Sequence, residues 1–296
     1  MSRFLRRAMF SVMALALLAV PVIPGSTSSA EANSTATACG RVIPKGDGTN
    51  WNCTFVDNFT GTSLDRSKWT VSLTANSGFH SGPECMVDDP RNIAVANGTL
   101  RLTVRKLIKR FTCKNPYGDY ATNYTAGSVN TYGKFDQAFG RFEIRARFPT
   151  AKVTGLHSAI WLYPRRLTYG SWPLSGEIDI AEYYTKYPDR AIPYMHYIQP
   201  AVDPTVTNNY CKIAHPEQFH LYVAEWTPEG ITIKYDGQTC VSHVWDPASP
   251  LLHSAPFDQP FTVILTQTLG VGQNPFNPND TPLPATMRVD YVRVWS

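Results

Sequence analysis

Charge is scarce in this chain: only 17% of its residues are Asp, Glu, Lys or Arg. The net charge of +4 is spread along the sequence, and no basic cluster stands out. A nucleic-acid surface needs its basic residues concentrated on one face or stripe, so that class is set aside. There is no CxxC pair and no Cys/His spacing of the zinc-binding kind, which removes a thiolate metal site. No stretch carries a long, capped helical period. Internal repeats, low-complexity tracts and Pro/Ser linkers are missing too, so a helical bundle, a repeat array and a string of domains are all poor descriptions.

What is present begins with an export leader. Arg3, Arg6 and Arg7 form a charged start, an apolar run follows from about Ala8 to Val20, and Ala30-Glu31-Ala32 offers a small-residue cleavage site. A membrane anchor is the competing reading, but the run is shorter than the roughly 20 residues a spanning helix needs. Residues 1–32 are therefore expected to be a signal peptide. Residues 33–296 are expected to form one catalytic-sized domain of a secreted, monomeric protein with no membrane attachment. All six cysteines follow the leader. An even count in an exported chain favours disulfides, and their order suggests three local loops: Cys39–Cys53, Cys85–Cys113 and Cys211–Cys240.

Strand signals dominate that remainder. Leu100-Arg101-Leu102-Thr103-Val104 alternates apolar and polar residues. It follows Asn97-Gly98, a dipeptide that forms tight hairpin turns. Phe142 to Phe148, Ile231 to Tyr235 and Arg288 to Trp295 alternate in the same way, and Asp236-Gly237 closes the second of these. The expected fold class is all-β: a sandwich of two antiparallel sheets.

Against this low background of charge, Glu177-Ile178-Asp179-Ile180-Ala181-Glu182 packs three acids into six residues. Side chains alternate along a strand, so Glu177 and Asp179 share a face while Ile178 and Ile180 are buried behind them. Glu182 is out of phase, and one extra residue in a bulge between Asp179 and Glu182 would return it to that face. Crowded carboxylates raise one another's pKa. Glycosidic bond cleavage uses that arrangement, with two carboxyl groups roughly 5–5.5 Å apart for retention and about 6.5–9.5 Å apart for inversion. A single short strand favours retention. Which glutamate is nucleophile and which is acid does not follow from the pattern. An exposed acidic face without chemistry and a calcium loop compete with this reading, although the loop's usual glycine and alternating Asp/Asn are missing.

Aromatic residues flank the acids: Trp161, Trp172, Tyr183 and Tyr184. Such rings stack on sugar faces or fill a core. Trp172, in a polar stretch, reads as a cleft residue, Trp161 as either, and Tyr183 and Tyr184 as pointing to opposite sides. His157 and His196 are candidates for contact with sugar hydroxyls or for structural hydrogen bonds.

Ser175-Gly176-Glu177-Ile178-Asp179-Ile180-Ala181-Glu182 resembles the catalytic signature of glycoside hydrolase family 16, in the bulged form of its laminarinase-like branch. The likeness extends through Phe55-Val56-Asp57-Asn58-Phe59, Leu64-Asp65 and Trp69, then Gly127 to Pro149. It continues through Phe219 to Pro228 and Tyr235-Asp236-Gly237, and ends in Pro284 to Val294. It implies a jelly-roll β-sandwich with a concave substrate cleft and a retaining endo-hydrolase of β-1,3-glucan. Mixed-linkage β-1,3-1,4-glucan stands second. The roles it implies are Glu177 as nucleophile, Glu182 as acid/base and Asp179 assisting, with Gln267 near substrate; Trp161, Trp172, Tyr184 and His196 are placed toward substrate by their position flanking the acids. No cofactor is required. The structural calcium of some members would use Asp290, although Asn58 stands where an acid is common. A glucan-binding protein would need no acid/base pair, and a transglycosylase would share all these residues.

Overall fold

Asn97 and Gly98 both take positive φ, 53° and 67°, as a two-residue hairpin turn requires. Asp236 and Gly237 do the same at 48° and 83°. The hairpins that these turns close belong to a computed structural model that describes residues 38–296. The expected signal peptide and its cut site lie outside the described residues.

In chain order the strands are β1 (Cys53–Asp57), β2 (Thr70–Val71), β3 (Cys85–Met86), β4 (Ile93–Ala96) and β5 (Thr99–Cys113). Then come β6 (Tyr120–Asn130), β7 (Gly140–Arg147), β8 (Leu156–Pro164), β9 (Glu177–Tyr184) and β10 (Ile192–His196). The last five are β11 (His220–Trp226), β12 (Gly230–Tyr235), β13 (Gln238–Val244), β14 (Phe261–Leu269) and β15 (Ala285–Trp295). One four-residue helix, Thr74–Ser77, and one short 3-10 turn are the helical elements among the described residues.

Two layers result. The front layer runs β10-β9-β8-β14-β6, and the back layer runs β5-β15-β7-β11-β12-β13. Long strands join them. The first part of β5 pairs with β15 in the back, and its remainder pairs with the first part of β6, whose end pairs with β14 in the front. The two sheets expected from sequence are therefore one hydrogen-bonded ladder folded over on itself, which leaves no open edge along that side. Apart from the short parallel pairing of β3 with β6, the pairs are antiparallel.

The core lies between the layers. Ile160, Leu162, Ile178, Ile180, Val263 and Leu265 come from the front, and Phe142, Ile144, Tyr222, Ile233, Val289 and Val292 from the back. Strand periodicity then leaves the alternate front residues, including His157, Trp161, Glu177 and Asp179, on the outer face. The three disulfides pair as the order of the cysteines suggests. Cys85–Cys113 ties β3 to the end of β5, beside the loop that carries Phe79 to the ring of Trp161.

Candidate active site

Gly176, at φ 78°, turns the chain into β9 where a side chain would strike Phe257. Asp179 then pairs with Trp161 of β8 and Tyr194 of β10, and Glu182 pairs with Ala159 and Ile192. On the β8 side one residue, Ile180, is skipped between Asp179 and Ala181. This is the bulge that the spacing of the acids demands. It turns Ile178, Ile180, Ala181 and Tyr183 to the interior, all fully buried, and returns Glu182 to the face of Glu177 and Asp179. Tyr183 stacks on Phe148 in the core, while Tyr184 turns outward to Glu182.

Each acid has its own partners. The exposed Trp172 donates its indole N–H to Glu177 Oε2 at 2.5 Å. The loop bearing it is held by Ser175, whose hydroxyl donates to the Gly170 carbonyl and accepts from Tyr169 N–H. His196 Nε2 lies 3.0 Å from Asp179 Oδ2, and its ring stacks on Tyr194 at 4.0 Å. Glu182 Oε1 accepts from the Tyr184 hydroxyl at 2.5 Å and lies 3.1 Å from His157 Nε2. His157 in turn stacks on Tyr184 at 4.4 Å.

These surroundings pull the three pKa values apart. Burial, then the Asp179 carboxylate, pushes Glu177 up to about 8, although His196 and the Trp172 N–H act against the shift. Burial and then Glu182 hold Asp179 well above the usual carboxylate range. Burial also acts to raise Glu182, but the hydrogen bonds and charge of His157, with the Tyr184 hydroxyl, outweigh it and keep Glu182 low. The three carboxyls titrate as one system. Burial thus favours the protonated form of Glu177 and Asp179, while the contacts with His157 and Tyr184 favour the ionised form of Glu182.

This has a consequence for stability. Between about pH 4.5 and 8 the folded protein keeps a proton on Glu177 that the unfolded chain has released, so this group's contribution is lost as pH rises through that window. Glu177→Gln is expected to match wild type near about pH 4.5 and to melt about 2–6 °C higher near pH 8.5, a gain of about 1–2 kcal/mol. Thermal melts at the two pH values measure this, and equal pH dependence in both proteins would refute it.

Glu177 lines a cleft of about 870 Å³ together with Trp161, Trp172, Tyr163, Asn130 and Phe79. Trp161 is anchored there by its indole N–H to Thr266 Oγ1 at 3.0 Å. Of the residues expected toward substrate, Trp161 and Trp172 line the cleft, while Tyr184 and His196 contact the acids themselves. Gln267 requires a correction. It is fully buried and faces the interior, its oxygen accepting from the Ser158 hydroxyl and its N–H groups donating to the carbonyls of His157 and Thr268. Strand alternation gives the outer face to Thr266 and Thr268 instead. Tyr194 and Thr266 went unnoticed in the sequence, although Tyr194 alternates with His196 along β10.

The calcium expected at Asp290 meets a misfit. Asp290 Oδ2 accepts from Arg145 Nη1 at 2.6 Å, and Asn58 Oδ1 accepts from Arg293 at 2.9 Å. A guanidinium already pairs with the Asp290 carboxylate and another with the Asn58 amide oxygen, a charge arrangement that does not fit a divalent cation. Among the described residues no group of three or more His, Cys, Asp or Glu side chains is arranged to hold a metal.

A folded β-ladder with an open aromatic cleft, and a row of carboxyls on the strand that lends Glu177 to it, is the framework of a glycoside hydrolase. Residues 83–289 match Glycosyl hydrolases family 16, and the chain belongs to that family. It is 32% identical over 267 residues to the Glucan endo-1,3-beta-glucosidase A1 of Niallia circulans, covering 82% of this chain but only 38% of that protein. It is also 32% identical over 269 residues to the Beta-glucanase of Rhodothermus marinus, covering 83% and 85% of the two chains. The solved endo-beta-1,3-glucanase of Pyrococcus furiosus superposes with a TM-score of 0.71 at 27% identity, over 86% of this chain and 97% of that one.

Proposed function

We propose that this protein is a secreted endo-β-1,3-glucanase that cleaves its substrate with retention of anomeric configuration. The observation that carries the reading is the bulge at Ile180, which brings Glu177 and Glu182 to one face of one strand beside an aromatic cleft. Glu177 attacks the anomeric carbon and forms a covalent glycosyl-enzyme. Glu182 gives a proton to the departing glycosidic oxygen, then takes one from the water that releases the sugar. Asp179 stands between them and relays a proton as the chain of sugars seats: it gives one to Glu182 and takes one from Glu177, which is thereby ionised for attack. His157 and Tyr184 orient the Glu182 carboxyl, and Trp172 steadies the Glu177 anion. Acid, base and nucleophile are all side chains, so the cycle draws on no cofactor.

The names of the relatives above support β-1,3-glucan as the substrate. Three disulfides suit an oxidising compartment, which supports secretion. Purified protein incubated with laminarin, lichenan, agarose and carrageenan is expected to release oligosaccharides fastest from laminarin, with lichenan second. Proton NMR should show the β-anomer of the new reducing end first. Release from agarose or carrageenan alone would overturn the substrate, and an α-anomer appearing first would overturn the stereochemistry.

A further inference from the structure

The bulge that aims Glu182 leaves the backbone of Ile180 outside the ladder with β8. Ile180 is fully buried, so its carbonyl oxygen needs a donor that neither neighbouring strand supplies in regular register. The donor comes from the other layer. Tyr235, on β12 and only 4% exposed, reaches across the core and donates its hydroxyl to the Ile180 carbonyl at 2.8 Å. Its cross-strand partner Tyr222 packs edge-on at 5.0 Å, yet the Tyr222 hydroxyl is buried with no hydrogen-bond partner. Two tyrosines thus sit side by side in the core, and one of the two hydroxyls is spent on the catalytic strand.

We propose that Tyr235 is a positioning residue for the reaction, holding the bulge in the one conformation that points Glu182 to the outer face of the strand beside Glu177 and Asp179. The inference rests on Glu182 being the acid/base. A bulge changes the phase of every residue after it, and a strand that slid back to regular register would turn Glu182 toward the core. Hydrogen bonding to the displaced carbonyl stabilises the bulged register over the regular one. Catalytic groups tolerate little misplacement, and an error of about 1 Å costs about a hundredfold.

The test compares Tyr235→Phe with Tyr222→Phe, each of which removes a single buried oxygen. Turnover is measured on laminarin and on an aryl β-1,3-oligoglucoside whose phenol leaves without protonation. Tyr235→Phe is expected to lose about ten- to hundredfold in kcat on laminarin, with KM within about twofold. The first-turnover burst of phenol, which does not call on the acid, should suffer less than laminarin turnover, and the limb of the pH profile governed by Glu182 should move. Tyr222→Phe should keep wild-type kinetics. Assays run below each variant's melting transition, with circular dichroism to confirm folding, so a loss of stability does not pass for a loss of aim. A wild-type kcat and pH profile in Tyr235→Phe, or a phenol burst slowed as much as laminarin turnover, would overturn the proposal. Full activity in Glu182→Ala would remove the underlying assignment, whereas an inactive Glu182→Ala beside a fully active Tyr235→Phe would remove only this inference.

Discussion

Glu177→Ala is expected to lose about 10⁴-fold or more in turnover on laminarin while still binding it. Removing the nucleophile removes the covalent route, but Trp161 and the rest of the cleft stay in place. Added azide fits the space of the lost carboxyl and attacks the anomeric carbon from that side. An activated aryl substrate should then yield the α-glycosyl azide. The stereochemistry matters because the surroundings of the two glutamates favour protons opposite to the assigned roles: burial, then Asp179, pushes Glu177 up to about 8, while the burial of Glu182 is outweighed by His157 and Tyr184, which hold it low. Were those roles reversed, with Glu182 attacking and Glu177 supplying the proton, azide added to Glu177→Ala would give the β-azide instead. The anomer formed therefore decides between the two, and near-normal turnover in the variant would exclude both.

Much of this site is legible in the sequence because strands obey a period of two. That rule alone puts Glu177 beside Asp179, demands a bulge before Glu182 and sends Tyr183 and Tyr184 to opposite sides. The hairpins at Asn97-Gly98 and Asp236-Gly237 follow from backbone conformations that few other residues adopt. Gln267 shows the same rule overlooked. It lies in phase with Val263, Leu265 and Leu269, the apolar phase of β14, so its burial was readable. Other features depend on which distant strands become neighbours. Tyr235 and Ile180 are 55 residues apart and meet only because the layers fold together. His157 and Glu182 are 25 apart, and without that contact nothing in the acidic strand tells which carboxyl stays ionised. Asp290 matched an acid that holds a cation in some members and Asn58 did not, and only the fold brings Arg145 to Asp290 and Arg293 to Asn58.

Glu182→Ala should separate the two half-reactions. On laminarin the poor leaving group needs its proton, and turnover is expected to fall about 10²- to 10⁴-fold. On an aryl β-1,3-oligoglucoside with an acidic phenol the first step proceeds without the acid, so phenol should appear in a burst and then stall as the glycosyl-enzyme accumulates. Azide needs no base and should restore turnover, now giving the β-azide, because it attacks the intermediate on the face that the leaving group vacated. Stability should move in the sense opposite to Glu177→Gln. Glu182 is held below its ordinary pKa chiefly by His157 and Tyr184, so its contribution is present above the unfolded value and lost as pH falls through the folded one. Glu182→Ala is therefore expected to melt below wild type at neutral pH and to converge with it in acid. A burst followed by full-speed turnover, or an α-azide product, would place the acid/base elsewhere and leave the bulge at Ile180 without the catalytic purpose assigned to it.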